Sequence, residues 1–197
     1  MQVEMEMRRS NKDRSEATRA ALIAAGRALF IEKPYGDIGT PEIVRNAGVT
    51  RGALYHHFAD KQALFAAVAD AEAAAVAREI ERSSPENTSP LEALLAGGRA
   101  YLDAMSVPGR TRLLLIDAPA VLGHAESRAI DMCYSARTLR EGLSIAMGAG
   151  ALPDLPLDPL TDMISAAFDQ AALDIDSGAS REDWERVLGA MIRGLLK

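Results

Sequence analysis

Residues 40–61, TPEIVRNAGVTRGALYHHFADK, leave the chain little conformational choice. Thr40 followed by Pro41 reads as a helix start: a hydroxyl able to cap free N–H groups, then a proline whose missing N–H costs nothing in the first turn. Glu42 suits the positive end of that helix. Ile43 and Ala47 lie four apart on one face, and Gly48 follows where a left-handed residue ends a helix. Val49 plugs the turn. Thr50 then caps a second helix over residues 51–58, whose Leu54 and Phe58 face inward and leave Arg51, Gly52, Ala53, Tyr55, His56 and His57 to flanks and solvent. Two short helices turning at a glycine make the helix-turn-helix pattern, in which the second helix enters the major groove of DNA. The same geometry also serves proteins that never touch DNA, so the pattern alone leaves a purely structural role open.

The residues themselves narrow it. GVTRGALYHHFADKQAL, preceded by the apolar-periodic TRAALIAAGRALF, resembles the N-terminal domain of the tetracycline-repressor (TetR) family of bacterial regulators. The resemblance spans about residues 14–70, and Gly48-Val49-Thr50, Leu54-Tyr55, His57-Phe58, Lys61 and Leu64 are its most specific elements. It implies an all-α fold with a three-helix DNA-binding domain over residues 1–60 and a helical effector-binding and dimerisation domain over 61–197. It further implies a homodimeric repressor, a double-stranded and palindromic DNA operator, and a small-molecule effector of unknown identity.

Arg51 is the expected base reader, because its planar fork matches the O6/N7 edge of guanine. Gly52 and Ala53 leave room for close approach and for contact with a thymine methyl. By the family's pattern Tyr55 and His57 contact phosphates or nearby bases, and Lys61 with the N-terminus of its helix binds the DNA backbone. Thr40, Thr50 and His56 belong to the same surface, and Arg45 is placed to touch phosphate. Pro41 stands where some relatives carry a long polar side chain, so the first helix of the motif is expected to read less sequence here. Outside the family context, Tyr55 would be read as a packing aromatic, and Arg51 and Lys61 as a solvated face.

The net charge of −6 argues against a nucleic-acid binder only if charge is evenly spread. Residues 1–61 hold ten Lys/Arg against eight Asp/Glu, and residues 62–197 hold twelve against twenty, so the acid is concentrated in the second part. A weakly basic head on an acidic body fits DNA held at one end. The one cysteine, Cys133, forms no internal disulfide, and the charged N-terminus lacks the apolar core of a signal peptide. No run approaches the ~20 apolar residues of a membrane span, so no membrane partner is expected and the cytoplasm is the expected location.

Catalytic signatures are missing. The sequence has no nucleophile elbow, zinc-protease helix, phosphate loop or dinucleotide glycine pattern, and neighbouring His56 and His57 point about 100° apart on a helix, too divergent to share a metal. No enzyme, cofactor or metal is expected. Two alternatives stay open: a DNA-binding regulator without a small-molecule effector, and a helical enzyme or carrier.

Beyond the motif the chain reads as helical throughout. No segment alternates with period two, so no sheet is expected. Helices are expected over residues 13–33, 61–82 with Asp60 as cap, 90–106, a short stretch from 110, 125–147, and a final antiparallel pair joined at 176–179. SSPENTSP, residues 83–90, reads as a loop, and Pro119 with Gly123 requires irregular backbone or a kink. The last two helices carry full apolar stripes, and Ser180 with Asp183 resembles a capping box. For the dimer face the candidates are Met163, Ala167, Ala171, Trp184, Leu188 and Met191, although each stripe could equally face the chain's own core. RLLLIDAPAVLG, residues 112–123, resembles part of some TetR-like effector domains. Candidate ligand residues are Met105, Leu114, Asp117, Arg128, Met132, Cys133 and Phe168, with ordinary core packing, or for Asp117 a helix cap or an ion pair with Arg112 or Arg128, as the alternative.

Overall fold

The computed structural model describes residues 2–83 and 88–195, and for residues 2–11 the helix backbone alone. Among the described residues there are ten helices and no strand, so the all-α expectation holds. Residues 84–87 of the expected loop at 83–90 lie outside the described residues. The chain packs as two compact units, residues 1–70 and 71–197, and the division falls inside a helix rather than at its start.

The first unit comprises α1 (Gln2–Glu32), α2 (Thr40–Ala47), α3 (Arg51–His57) and the beginning of α4 (Lys61–Arg82). Leu22, Leu29 and Phe30 of α1, Ile43 of α2, Leu54 of α3 and Leu64, Phe65 and Val68 of α4 bury together. Each large apolar side chain taken from water contributes roughly 1.5–3 kcal/mol. This shared burial explains why the first two turns of α4 belong to the head. Gly26 lets α1 pass close to α4, since a Cβ there would sit 3.3 Å from both Phe30 and Val68. Phe65 meets Phe30 edge-on at 5.0 Å and Tyr35 at 5.3 Å between ring centroids.

The motif forms as its residues dictate, with one correction. Gly48 adopts φ +66°, the left-handed conformation that costs a β-carbon energy, and the Val49 N–H returns to the Val44 carbonyl at 3.0 Å. The Thr50 hydroxyl accepts from the Ala53 N–H at 3.2 Å, and an Asp60 carboxylate oxygen accepts from the Ala63 N–H at 2.7 Å. Thr40 does not cap. Gly39 takes the cap position with no side-chain bond, Thr40 becomes the first helical residue and Pro41 the second. Proline tolerates that position equally well, because no N–H of the first turn has a helical partner.

The second unit holds the rest of α4 with α5 (Pro90–Met105), α6 (Ala118–Leu122), α7 (His124–Cys133), α8 (Ser135–Gly148), α9 (Leu157–Asp176) and α10 (Arg181–Gly194). Ser89 and Glu92 form a reciprocal capping box at the start of α5, and Ser180 accepts from the Asp183 N–H at 3.2 Å to start α10. Residues 112–117 wind wider than an α-helix, as a π-helical stretch that runs into α6 with Pro119 in its first turn. The single helix expected over 125–147 is two helices, α7 and α8, broken at Tyr134 (φ −129°, ψ −97°). The core of this unit gathers Ile80, Leu102, Leu143, Ile164, Phe168 and Leu188.

An ionic network lies inside the second unit. The Arg110 guanidinium is 5% exposed and donates to Glu72 at 3.0 Å, to Glu79 at 3.2 Å and to the Ala104 carbonyl at 2.6 Å. Every partner is an acceptor, so the buried charge is matched on several sides, the condition under which a buried ion survives. Sequence reading missed it. The signal was present, since Glu72 and Glu79 sit on the same stripe of α4 as Val76 and Ile80, where a carboxylate needs a buried cation.

Candidate nucleic-acid interface and effector cavity

Recognition by α3 requires side chains that the motif's core leaves outside. Leu54 and Phe58 are buried, which turns Arg51, Gly52, Tyr55 and His56 to solvent, with Ala53 and His57 half-buried. Arg51 lies over the Tyr55 ring, 5.4 Å from its centroid, a cation–π contact that holds the guanidinium near the start of the helix. Tyr55 remains 43% exposed. Hydrogen bonds from the Thr40 hydroxyl first, and from Arg51 second, draw its phenol below the ordinary value. Thr40, Arg51 and Tyr55 thus form one polar surface across α2 and α3, while Arg45 and Thr50 are also exposed beside it. His56 and His57 stand edge to face at 5.2 Å, and among the described residues no cluster of His, Cys, Asp or Glu could hold a metal.

Lys61 occupies a different position from the rest. Its ammonium donates to the Tyr35 carbonyl at 2.7 Å and the Ile38 carbonyl at 2.9 Å, and lies 3.9 Å from the centre of the Tyr35 ring. Burial lowers its pKa, with Asp37 opposing. Two of its three N–H groups therefore clasp the turn between α1 and α2 to the start of α4. Such a side chain fixes the motif, and has one donor left for anything else.

The second unit contains a cavity of about 360 Å³ between α5, α8 and α9. Gly97 and Gly98 open it on the α5 side. At Gly98 a Cβ would lie 2.5 Å from the Phe168 ring, so the aromatic ring rests directly on helix backbone. Leu94, Leu139, Ile145 and Phe168 give it apolar walls, while Tyr101, Ser135, Thr138 and Ser165 supply hydroxyls. Of the residues expected at a ligand site, Phe168 alone lines this space. Met105 is buried beside a separate hollow of about 210 Å³. Leu114 and Met132 are half-buried, Cys133 is exposed, and Arg128 is 60% exposed and held by Asp162 at 2.8 Å. Asp117 stands 3.6 Å from Arg112, its carboxyl raised by burial against the pull of that guanidinium, which is the ion-pair alternative.

The expected dimer face also divides. Ala171 and Leu188 are buried in the chain's own core, Ala167, Trp184 and Met191 are partly covered, and Met163 stays 58% exposed. Val187, on the same apolar stripe of α10, is 57% exposed. The stripes on these helices are broad enough to serve two directions, and periodicity cannot say which edge faces inward.

Comparison with known proteins agrees with this geometry. "Bacterial regulatory proteins, tetR family" matches residues 22–68, and "Tetracyclin repressor-like, C-terminal domain" matches residues 91–197. The chain is 24% identical over 192 residues to the transposon Tn10 TetC protein of Escherichia coli, covering 98% of this chain and 97% of that one. It is 35% identical over 92 residues to the A-factor receptor protein of Streptomyces griseus, covering 47% of this chain and 31% of the relative. The chain therefore spans about a third of the receptor's length and nearly all of TetC's. A solved TetR-family transcriptional regulator from Pectobacterium atrosepticum superposes with a TM-score of 0.73 at 30% identity, covering 93% of this chain and 96% of its own. With the motif built, its reading surface exposed and both regions matched, the chain belongs to the TetR family of bacterial regulatory proteins and is a DNA-binding transcriptional regulator rather than an enzyme.

Proposed function

We propose that the protein is a homodimeric repressor that binds a palindromic operator through two copies of α3 and is released by a small molecule held in the 360 Å³ cavity. Arg51 reads a base edge, Gly52 and Ala53 permit the helix to lie close to the bases, and Thr40, Arg45, Thr50, Tyr55, His56 and His57 bind or flank the phosphates. The cavity carries the effector part of this reading, because a mainly apolar space between three helices, with Gly97 and Gly98 on its α5 wall, is an opening that a simple dimerisation domain does not need. It is at the small end of the range for ligand sites and mainly apolar. One relative is named as a receptor.

In vitro selection from a random duplex pool tests the DNA side. A two-fold symmetric consensus is expected, with half-sites centred about 34–36 Å apart or a multiple of that. Selected sequences without two-fold symmetry would sink the dimeric reading. The effector side requires a ligand that prefers the state with weak DNA affinity, so a bound compound that raises the melting temperature should lower operator affinity at equilibrium.

A further inference from the structure

The effector cavity has a charge character of its own. Among the described residues lining it, the ionisable groups are Glu81, Glu141 and Tyr101, and none is basic. Glu81 and Glu141 share one cation, Arg137, at 3.7 and 3.3 Å, so the mouth keeps a negative balance. At the inner end the Tyr101 hydroxyl donates to Asp169 at 2.5 Å, and this leaves the phenolic lone pairs, not the proton, for a bound molecule. Asp131 adds a second carboxylate close enough to raise the Tyr101 hydroxyl and to be raised by Asp169. Arg128 is occupied by Asp162, to which it donates at 2.8 Å. Five carboxylates thus surround the cavity and its inner wall against two guanidinium groups, and at the inner end, around Asp131 and Asp169, burial weakens screening. Tyr101 and Phe168, edge to face at 6.1 Å, offer aromatic faces to a cation.

Building on the effector reading above, we propose that this cavity takes a lipophilic amine: an apolar body, packed among Leu94, Leu139 and Phe168, carrying one protonated nitrogen that donates toward Tyr101 and the carboxylate behind it. An anionic ligand of the same shape would meet like charge at both ends, with no basic residue among the described lining residues to receive it. A neutral one would gain the apolar contacts alone.

Calorimetric titration of the full-length protein with phenylbutylamine, phenylbutanol and phenylbutyrate tests this, since the three share one apolar body. The amine is expected to bind about tenfold tighter than the alcohol, a difference of the size that one charge-assisted contact provides, and the acid weakest of all. Asp169→Asn keeps an acceptor for Tyr101 and removes the charge, and should bring amine and alcohol within about threefold of each other. Ser165→Phe and Thr138→Phe fill the cavity from α9 and α8 and should abolish binding of both. If the alcohol or the acid binds as tightly as the amine in a fillable cavity, or if Asp169→Asn leaves the preference intact, the amine assignment is wrong while the effector cavity survives. If no probe binds, or neither filled variant loses binding, the cavity reading falls together with the amine.

Discussion

Arg51 and Lys61 show how two cations of one motif divide their work. Arg51 is exposed and steadied on Tyr55, so Arg51→Ala should lose roughly 1–3 kcal/mol on the selected operator and relax selectivity at one base pair per half-site. Lys61 is tied to two carbonyls, and Lys61→Met should lower the stability of the head by about 1–3 kcal/mol while leaving the salt dependence of DNA binding unchanged. Fluorescence anisotropy on specific and scrambled duplexes, with thermal melts, separates the two. Equal losses on both duplexes for Arg51→Ala would remove it as a reader. A buried carboxyl offers a different test. Burial first, then the Asp169 charge, raises Asp131 from the ordinary 3.8 to about 6, with the Ala136 N–H and Arg128 opposing, Asp162 adding to the rise, and Tyr101 also facing it. Between about pH 4 and 6 the folded chain keeps a proton that the unfolded chain has lost, so this group's contribution falls as pH rises through that window. Asp131→Asn should therefore stabilise the protein near neutral pH by about 1–3 kcal/mol and have little effect at about pH 4, measured by denaturant unfolding. A gain of equal size at both values would contradict a titrating Asp131.

At the scale of elements, two adjacent glycines in α5 face different neighbours. A Cβ at Gly97 would come no nearer than 4.0 Å, to Ile80, whereas one at Gly98 would strike the Phe168 ring. Gly97→Ala should stabilise α5 by roughly 0.5–1 kcal/mol through helix propensity. Gly98→Ala should cost about 1–3 kcal/mol, because the overlap outweighs the same propensity gain. Melting temperatures moving in the same direction for both would refute the tight packing. The two glycines were legible as an anomaly in a helical pattern, but the partner of Gly98, Phe168, is seventy residues away and no local rule supplies it. The motif was readable almost residue by residue, since caps, glycine turn and four-residue spacings act within a few positions. Even there, the cap passed from Thr40 to Gly39, leaving the threonine hydroxyl to Tyr55. The break at Tyr134 had no signal, for MCYSARTL contains neither proline nor glycine. Most of the cavity lining was likewise hidden: Tyr101, Leu139 and Ser165 are ordinary helix residues until three helices bring them together.

The assembly proposed for the whole molecule rests on the outward edges of α9 and α10. Met163 and Val187 are each more than half exposed, and Ala166 and Ala190 lie open beside them, small enough to let a second pair of helices approach. A two-fold axis would set this face against its own copy, making one substitution act twice. Val187→Glu would then bring two like charges into an apolar contact, where desolvation and repulsion combine. Leu188→Glu would be a poor probe, because Leu188 belongs to the chain's own core and its loss would unfold the unit. Light scattering at micromolar concentration is expected to give twice the chain mass for the wild type and the chain mass for Val187→Glu, with helical content unchanged by circular dichroism. Binding of Val187→Glu to a single half-site should be preserved. On the full operator its affinity should fall by about 10²–10⁴, the factor that tethering of two reading heads supplies. A wild-type protein that is monomeric in solution yet binds the two-half-site operator no less tightly than a dimer requires would place the partner contact on DNA alone, and α9 and α10 would lose their assigned role.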